Sequence, residues 1–139
     1  MPDLERFVRA QDHGGAYLAA IEELTAGAKR PHWMWFVFPQ IAGLGSSETA
    51  RRYALADVGE AKTYLAHPVL GPRLRECAHL VAESPSPSAR DLFGSGIDAM
   101  KLRSSMTLFR AAAPEEPVYQ RVLDHYFDGD GDQSTLSRI

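Results

Sequence analysis

The residues best suited to chemistry lie in two dense clusters. The first runs Arg30-Pro31-His32-Trp33-Met34-Trp35-Phe36-Val37-Phe38-Pro39-Gln40 and holds both tryptophans of the chain. Gly43-Leu44-Gly45-Ser46-Ser47 follows and feeds Glu48-Thr49-Ala50-Arg51-Arg52-Tyr53. Aromatic rings joined to a loop that can present backbone N–H groups suit a ligand with a flat part and an anionic part. They suit a hydrophobic core followed by a turn equally well. His32 adjoins Lys29-Arg30 and can either move a proton near neutral pH or sit as a satisfied polar group at a core margin. Trp33 or Trp35 could be the ligand platform. Gln40 carries an amide able to read the edge of a base or a ribose. Ser46 or Ser47 is placed to cap a helix, whose N-terminus would attract an anion, with Arg51 adding charge-assisted hydrogen bonds to a phosphate. The plain alternative is a capped helix with solvated arginines. The segment is neither a dinucleotide fingerprint nor a P-loop.

The second cluster is Lys101-Leu102-Arg103-Ser104-Ser105-Met106. On a helix with Leu102, Met106 and Phe109 inward, Lys101, Ser104 and Ser105 border the buried stripe, and Arg103 lies nearer the far face. A lysine and serines at a core margin can line an anion pocket. A nucleophilic Ser–Lys pair would need an activating geometry and an oxyanion donor that the sequence does not identify. The expected pocket therefore comprises His32, Trp33 or Trp35, Gln40, the loop with Gly43, Gly45, Ser46 and Ser47, then Arg51, Lys101 and Ser105.

Other groups point elsewhere. Asp128-Gly129-Asp130-Gly131-Asp132 imitates the opening of an EF-hand loop, but Gln133 and Ile139 stand where glycine and glutamate are required. Asp132 reads better as a helix cap. His13, His67, His79 and His125 show no metal spacing, His79 falls on an outer helix face, and His67 before Pro68 is placed to cap a helix. Cys77 is the only cysteine, which excludes an internal disulfide and a cysteine zinc site. No metal and no cofactor is expected.

These residues need a scaffold, and the hydrophobic period is helical. Tyr17, Ile21, Leu24 and Ala28 share a face. Val58, Ala61 and Leu65 share another behind an Asp57 cap, and His67-Pro68 ends that helix. Leu70, Leu74, Cys77 and Val81 form the next stripe, and Leu102, Met106, Phe109 and Ala113 the longest. Pro117 opens a further helix with Val122 and Leu123 inward. The pattern predicts helix over most of 15–26, 58–66, 72–82, 98–112 and 118–126. A short helix from Ser88 to Gly94 is also expected. The segment from Trp33 to Phe38 reads as a buried helical or extended connector. The expected fold is mainly α: one compact domain over residues 1–139, built from about six to eight short helices.

Bulk properties narrow the function classes. The chain has 139 residues and a net charge of −3. That balance argues against a general nucleic-acid binder or a membrane-surface binder. No apolar run approaches the ~18 residues of a membrane span, and Asp3, Glu5, Arg6 and Arg9 interrupt any leader-like stretch. The expected location is cytoplasmic.

The blocks Lys29 to Gln40, Gly43-Leu44-Gly45, Ala66-His67-Pro68-Val69-Leu70-Gly71-Pro72-Arg73-Leu74, Lys101 to Phe109, Val122-Leu123-Asp124 and Tyr126-Phe127 resemble those of domain-of-unknown-function family 1810, DUF1810. That resemblance implies a small, mainly helical protein and no established activity. A remoter similarity in size and character links the chain to NADAR proteins, which act on ADP-ribose-linked substrates. It is fold-level analogy, and no catalytic residue is carried over. The resulting expectation is a pocket for an anionic nucleotide-like or ADP-ribose-like metabolite. If it is hydrolytic, Glu48 or His32 would manage a water. The competing expectation is a non-catalytic interaction protein, able to form a homodimer, whose aromatic segment is core or interface.

Overall fold

The helix from Gly96 to Ala112 can be surrounded on all sides through its middle, because small or apolar side chains occupy every position from Ser104 to Phe109. Ala99, Leu102, Ser104, Ser105, Met106, Thr107, Leu108, Phe109 and Ala112 are all buried. This helix is the axis of the protein. The computed structural model describes residues 3–26 and 34–139. In chain order the helices are α1 (Glu5–Asp12), α2 (Ala16–Ala26), α3 (Met34–Val37), α4 (Glu48–Arg52), α5 (Val58–Ala66), α6 (Leu70–Glu83), α7 (Ala89–Phe93), α8 (Gly96–Ala112), α9 (Val118–Tyr126) and α10 (Gln133–Leu136). Helices α5, α7, α9 and α10 pack against α8, α6 packs on α5, α9 and α2, and α1 lies against α2 and α3. Among the described residues there is no strand, only an isolated parallel bridge between Ile41 and Leu55.

The helix ends follow from their sequences. Ser47, Asp57, Ser88, Ser95 and Asp132 each accept a hydrogen bond from the backbone N–H three residues on. Gly94 closes α7 in the left-handed conformation, with φ 76°. The His67 ring nitrogen Nδ1 accepts from the N–H groups of Val69 and Leu70, as a histidine cap would. The five windows expected from periodicity are helical, residue 15 falling in a short 3-10 turn, and Leu74, Cys77, Leu102, Met106, Phe109, Val122 and Leu123 are buried.

Helix α1 was not evident from the pattern. Its buried face consists of Phe7 and Gln11, with Val8 half-buried, so a glutamine stands where an apolar residue would complete the stripe. The burial is tolerable because the Gln11 amide is fully engaged. Its Nε2 donates to the Phe36 carbonyl at 2.7 Å and to the Tyr64 hydroxyl at 3.3 Å, and its Oε1 accepts from Arg73 at 3.2 Å.

A chain of rings runs through the core. Phe36 meets Tyr53 at 5.5 Å, Tyr53 meets Phe7 at 5.7 Å, and Phe7 meets Tyr64 at 5.3 Å. Tyr64 continues to Phe109 at 5.5 Å, and Phe109 to Tyr119 at 6.0 Å. Most of these pairs are tilted or edge-on, the arrangement favoured by the ring quadrupole. At the far end Arg75 forms a two-pronged pair with Glu116, at 2.8 and 3.0 Å, which holds the Glu116 carboxyl below its ordinary range.

Cys77 faces this core and is fully buried. Loss of solvation pushes its thiol up to about 12, so the thiolate is scarce at neutral pH. The thiol is expected to resist alkylation in the native protein and to react at once in denaturant, measured by mass spectrometry at pH 8. Rapid native labelling would contradict this packing.

Candidate ligand-binding cleft

Trp35 on α3, Gln40 and Gly45 in the connection that follows, Lys101 and Ser104 on α8, and Asp132 beside α10 line one cleft of about 270 Å³. Leu44 and Ser134 complete its walls, and Ile97 and Met100 form an apolar rim, 71% and 64% exposed. Two of the sequence clusters thus meet, although they are far apart along the chain.

Each wall has a local cause. The Gln40 carbonyl accepts from Leu55 N–H at 2.9 Å and Ala42 N–H donates to the Leu55 carbonyl at 2.8 Å, which pins this loop to the segment before α5. At Gly45 a Cβ would lie 2.6 Å from that of Ala50, so only glycine lets the loop pass this close to α4. Lys101 Nζ sits 3.7 Å from the centre of the Trp35 ring and 3.3 Å from Asp98 Oδ1. The ring and the largely buried carboxylate therefore hold the ammonium in place.

The third wall is a hydroxyl relay. Asp132 Oδ2 accepts from the Thr135 N–H at 2.9 Å and from the Thr135 hydroxyl at 2.7 Å. An ionised carboxylate only accepts, so the Thr135 hydroxyl spends its proton there and must accept from Ser104, 2.7 Å away. Ser104 is left to the cleft as an acceptor. Asp132 N–H donates to Thr107 Oγ1 at 2.9 Å, which fastens the whole turn to α8.

Not every expected site residue arrives here. Gly43, with φ +97°, lies against the Arg138 side chain. Ser46 and Arg51 are exposed, Ser47 is the cap of α4, and none of the three lines the cleft. Helix α4 has five residues, too short for a developed anion site. Glu48 is exposed in its first turn and is not a lining residue. Ser105 is wholly buried inside the protein, and its Oγ has no hydrogen-bond partner among the described residues. The expectation that Ser105 borders the stripe is corrected, because α8 is covered on that side too. Arg103 likewise is half-buried, donating to the Asp130 carbonyl at 3.1 Å. His32 and Trp33 lie outside the described residues.

Ile97, Met100, Asp132 and Ser134 are cleft residues that sequence reasoning did not assign to it, and Ser104 lines it where Ser105 was expected. Asp132 was legible only as a cap, and nothing in the local pattern brings the C-terminal turn to α8. Among the described residues no group of three or more His, Cys, Asp or Glu side chains could hold a metal ion. No helix of the described residues is long and apolar enough to cross a membrane.

The family described as "Protein of unknown function (DUF1810)" matches residues 1–139. The chain belongs to the DUF1810 family. Its fold is similar to the crystal structure of the conserved hypothetical protein Rv1873 from Mycobacterium tuberculosis. The two are 47% identical, with a TM-score of 0.91 over 97% of this chain and 94% of that one. No curated protein matches this DUF1810 chain.

Proposed function

We propose that the cleft of this DUF1810 protein binds the base or nucleoside end of a nucleotide-like metabolite. The convergence of Trp35, Gln40 and Lys101 on one cleft is the observation that carries this reading. Trp35 offers a ring, Gln40 both a donor and an acceptor, and Ser104 an acceptor, which together match the edge of a heterocycle. Size limits the ligand. Small-molecule sites span roughly 300–1,000 Å³, so a cleft of about 270 Å³ takes a nucleoside and leaves the rest of a molecule such as ADP-ribose outside. Charge limits it too. Lys101 is the only cation among the described lining residues, and it is paired with Asp98 in a cleft that Asp132 also lines, so one negative group is accommodated better than a diphosphate.

Binding alone is proposed. A hydrolytic role would need a carboxylate free to handle a water, and Asp132 Oδ2 is committed to Thr135.

A thermal-shift screen against nucleosides, nucleotides, ADP-ribose and sugar phosphates is expected to single out the nucleoside-containing compounds, because a ligand specific to the native state raises the midpoint. Titration of the best compound against Lys101→Met should then show affinity lower by about tenfold or more, the worth of one charge-assisted hydrogen bond. Trp35→Ala should lose as much. No shift with any nucleoside, or equal affinities in the variants, would leave Lys101 a surface charge clasped to Asp98.

A second reading, a contact surface for another copy of the chain, has the exposed Ile97 and Met100 on its side. It requires concentration-dependent sedimentation that Met100→Glu abolishes.

A further inference from the structure

A larger cavity, of about 480 Å³, opens where Phe36 rather than Trp35 is the α3 residue on the wall. Arg6, Arg9 and His13 come to it from one side, and Arg52 and Tyr53 from the other. Arg6 and Arg9 stand at i and i+3 on one face of α1, and His13 follows as its C-cap, so the end of α1 presents a basic edge to the cavity. Among the described residues no carboxylate lines it.

The cations have different duties. Arg6 is a post: its Nε donates to the Arg52 carbonyl at 2.7 Å and its Nη2 to the Ala54 carbonyl at 2.9 Å, which fixes the end of α4 beside α1. Arg9 has a single, long contact with Asp3 at 3.4 Å, both groups being well exposed. Such a pair is worth little and opens easily. Arg52 is exposed, and its guanidinium lies 5.6 Å from the centre of the Tyr53 ring, with no carboxylate partner among the described residues. Below these groups Phe36 and Tyr53 meet edge-to-face, both half-buried, and form an aromatic floor.

We propose that this groove binds a phosphate monoester carried on a planar ring, with Arg9, Arg52 and His13 around the phosphate and the ring against Phe36 and Tyr53. Guanidinium forks match phosphate oxygens two at a time, and they stack on aromatic planes. The volume lies within the range of small-ligand sites, roughly 300–1,000 Å³. Three arginines face one exposed aspartate here, whereas the Trp35 cleft sets one lysine among carboxylates. The site is separate from that cleft and does not depend on the reading given to it.

The test uses adenosine monophosphate, inorganic phosphate and adenosine as probes, titrated calorimetrically at low ionic strength, where exposed charges are least screened. Adenosine monophosphate should bind more tightly than either fragment. Arg9→Gln and Arg52→Gln should each weaken it by about tenfold or more. Arg121→Gln, an exposed arginine on α9, should leave it unchanged. Both groove arginines are exposed, so folded variants are expected, and either one alone suffices for the comparison. The proposal is overturned if inorganic phosphate binds as tightly as the nucleotide, if the groove variants match the wild type, or if Arg121→Gln weakens binding equally. Loss of binding in Trp35→Ala with the groove variants unaffected would also overturn it, while supporting the cleft.

Discussion

Phe109→Ala is expected to cost about 3–5 kcal/mol of stability, the range for a fully buried phenylalanine. Phe109 is completely buried on α8 and stands between Tyr64 of α5 and Tyr119 of α9, at 5.5 and 6.0 Å. It is thus an interior link of the ring chain, and its loss leaves both neighbours without a contact. The surrounding helices cannot collapse onto the space, because α8 is buried all round from Ser104 to Phe109 and moving it would open other contacts. Domains are stable by about 5–15 kcal/mol in all, so the variant should keep its helical content at low temperature but unfold far earlier. A midpoint lower by on the order of 10–20 °C is expected in thermal unfolding followed by circular dichroism. Phe109→Leu, which retains most of the volume, should cost distinctly less. An alanine variant within about 1 kcal/mol of wild type, with an unchanged denaturant slope, would mean that α8 is not the axis of the core.

The helical scaffold was readable because its long members carry unbroken stripes with polar starts. Leu70, Leu74, Cys77 and Val81 repeat at helical spacing, and Ser88 and Asp57 announce caps that the structure uses. Helix α1 escaped because tertiary hydrogen bonds to Phe36, Tyr64 and Arg73 make Gln11 a core residue, and no local rule anticipates such partners. The same cause explains Ser105. Periodicity places it at a margin, and only the packing of α8 inside a ring of helices puts it in the interior.

Half of the cleft was legible in the same way. Trp35, Gln40, Gly45 and Lys101 stood out by residue type, and they share one cavity. What the sequence could not supply was the third wall. Asp132 and Ser134 reach the cleft through the Ser104–Thr135–Asp132 relay, a contact between segments whose local patterns say nothing of each other. The basic groove was hidden for a similar reason. Arg6 and Arg9 break the apolar pattern of α1 and read as ordinary surface charge until α4 is laid beside them. In sequence Arg52 reads like any arginine at a helix end, and only the fold places it with Tyr53 on the wall of a cavity.

Gly71→Ala is expected to destabilise the protein by about 1–3 kcal/mol or more, although glycine-to-alanine changes in helices ordinarily help by up to ~1 kcal/mol. Gly71 lies in the first turn of α6, its N–H bonded to the His67 carbonyl at 3.1 Å. The corner from Ala66 to Leu70 is so tight that a Cβ at position 71 would lie 2.1 Å from the Leu65 carbonyl oxygen. That atom is backbone of the last turn of α5, so it cannot swing aside as a side chain would. Relief requires α5 and α6 to separate at their junction. Both helices contribute to the core, through Tyr64 and Leu65 on one and Leu70, Leu74 and Cys77 on the other, so the displacement is felt beyond the corner. The sign therefore turns on sterics rather than on helix propensity. Gly96→Ala is the matched control, since a Cβ there meets nothing within 4 Å at the start of α8. Urea unfolding should show Gly96→Ala neutral or slightly more stable and Gly71→Ala clearly less stable. If both variants moved together, the α5–α6 corner would be looser than its geometry requires, and the close approach at Gly71 would not be what joins the two helices.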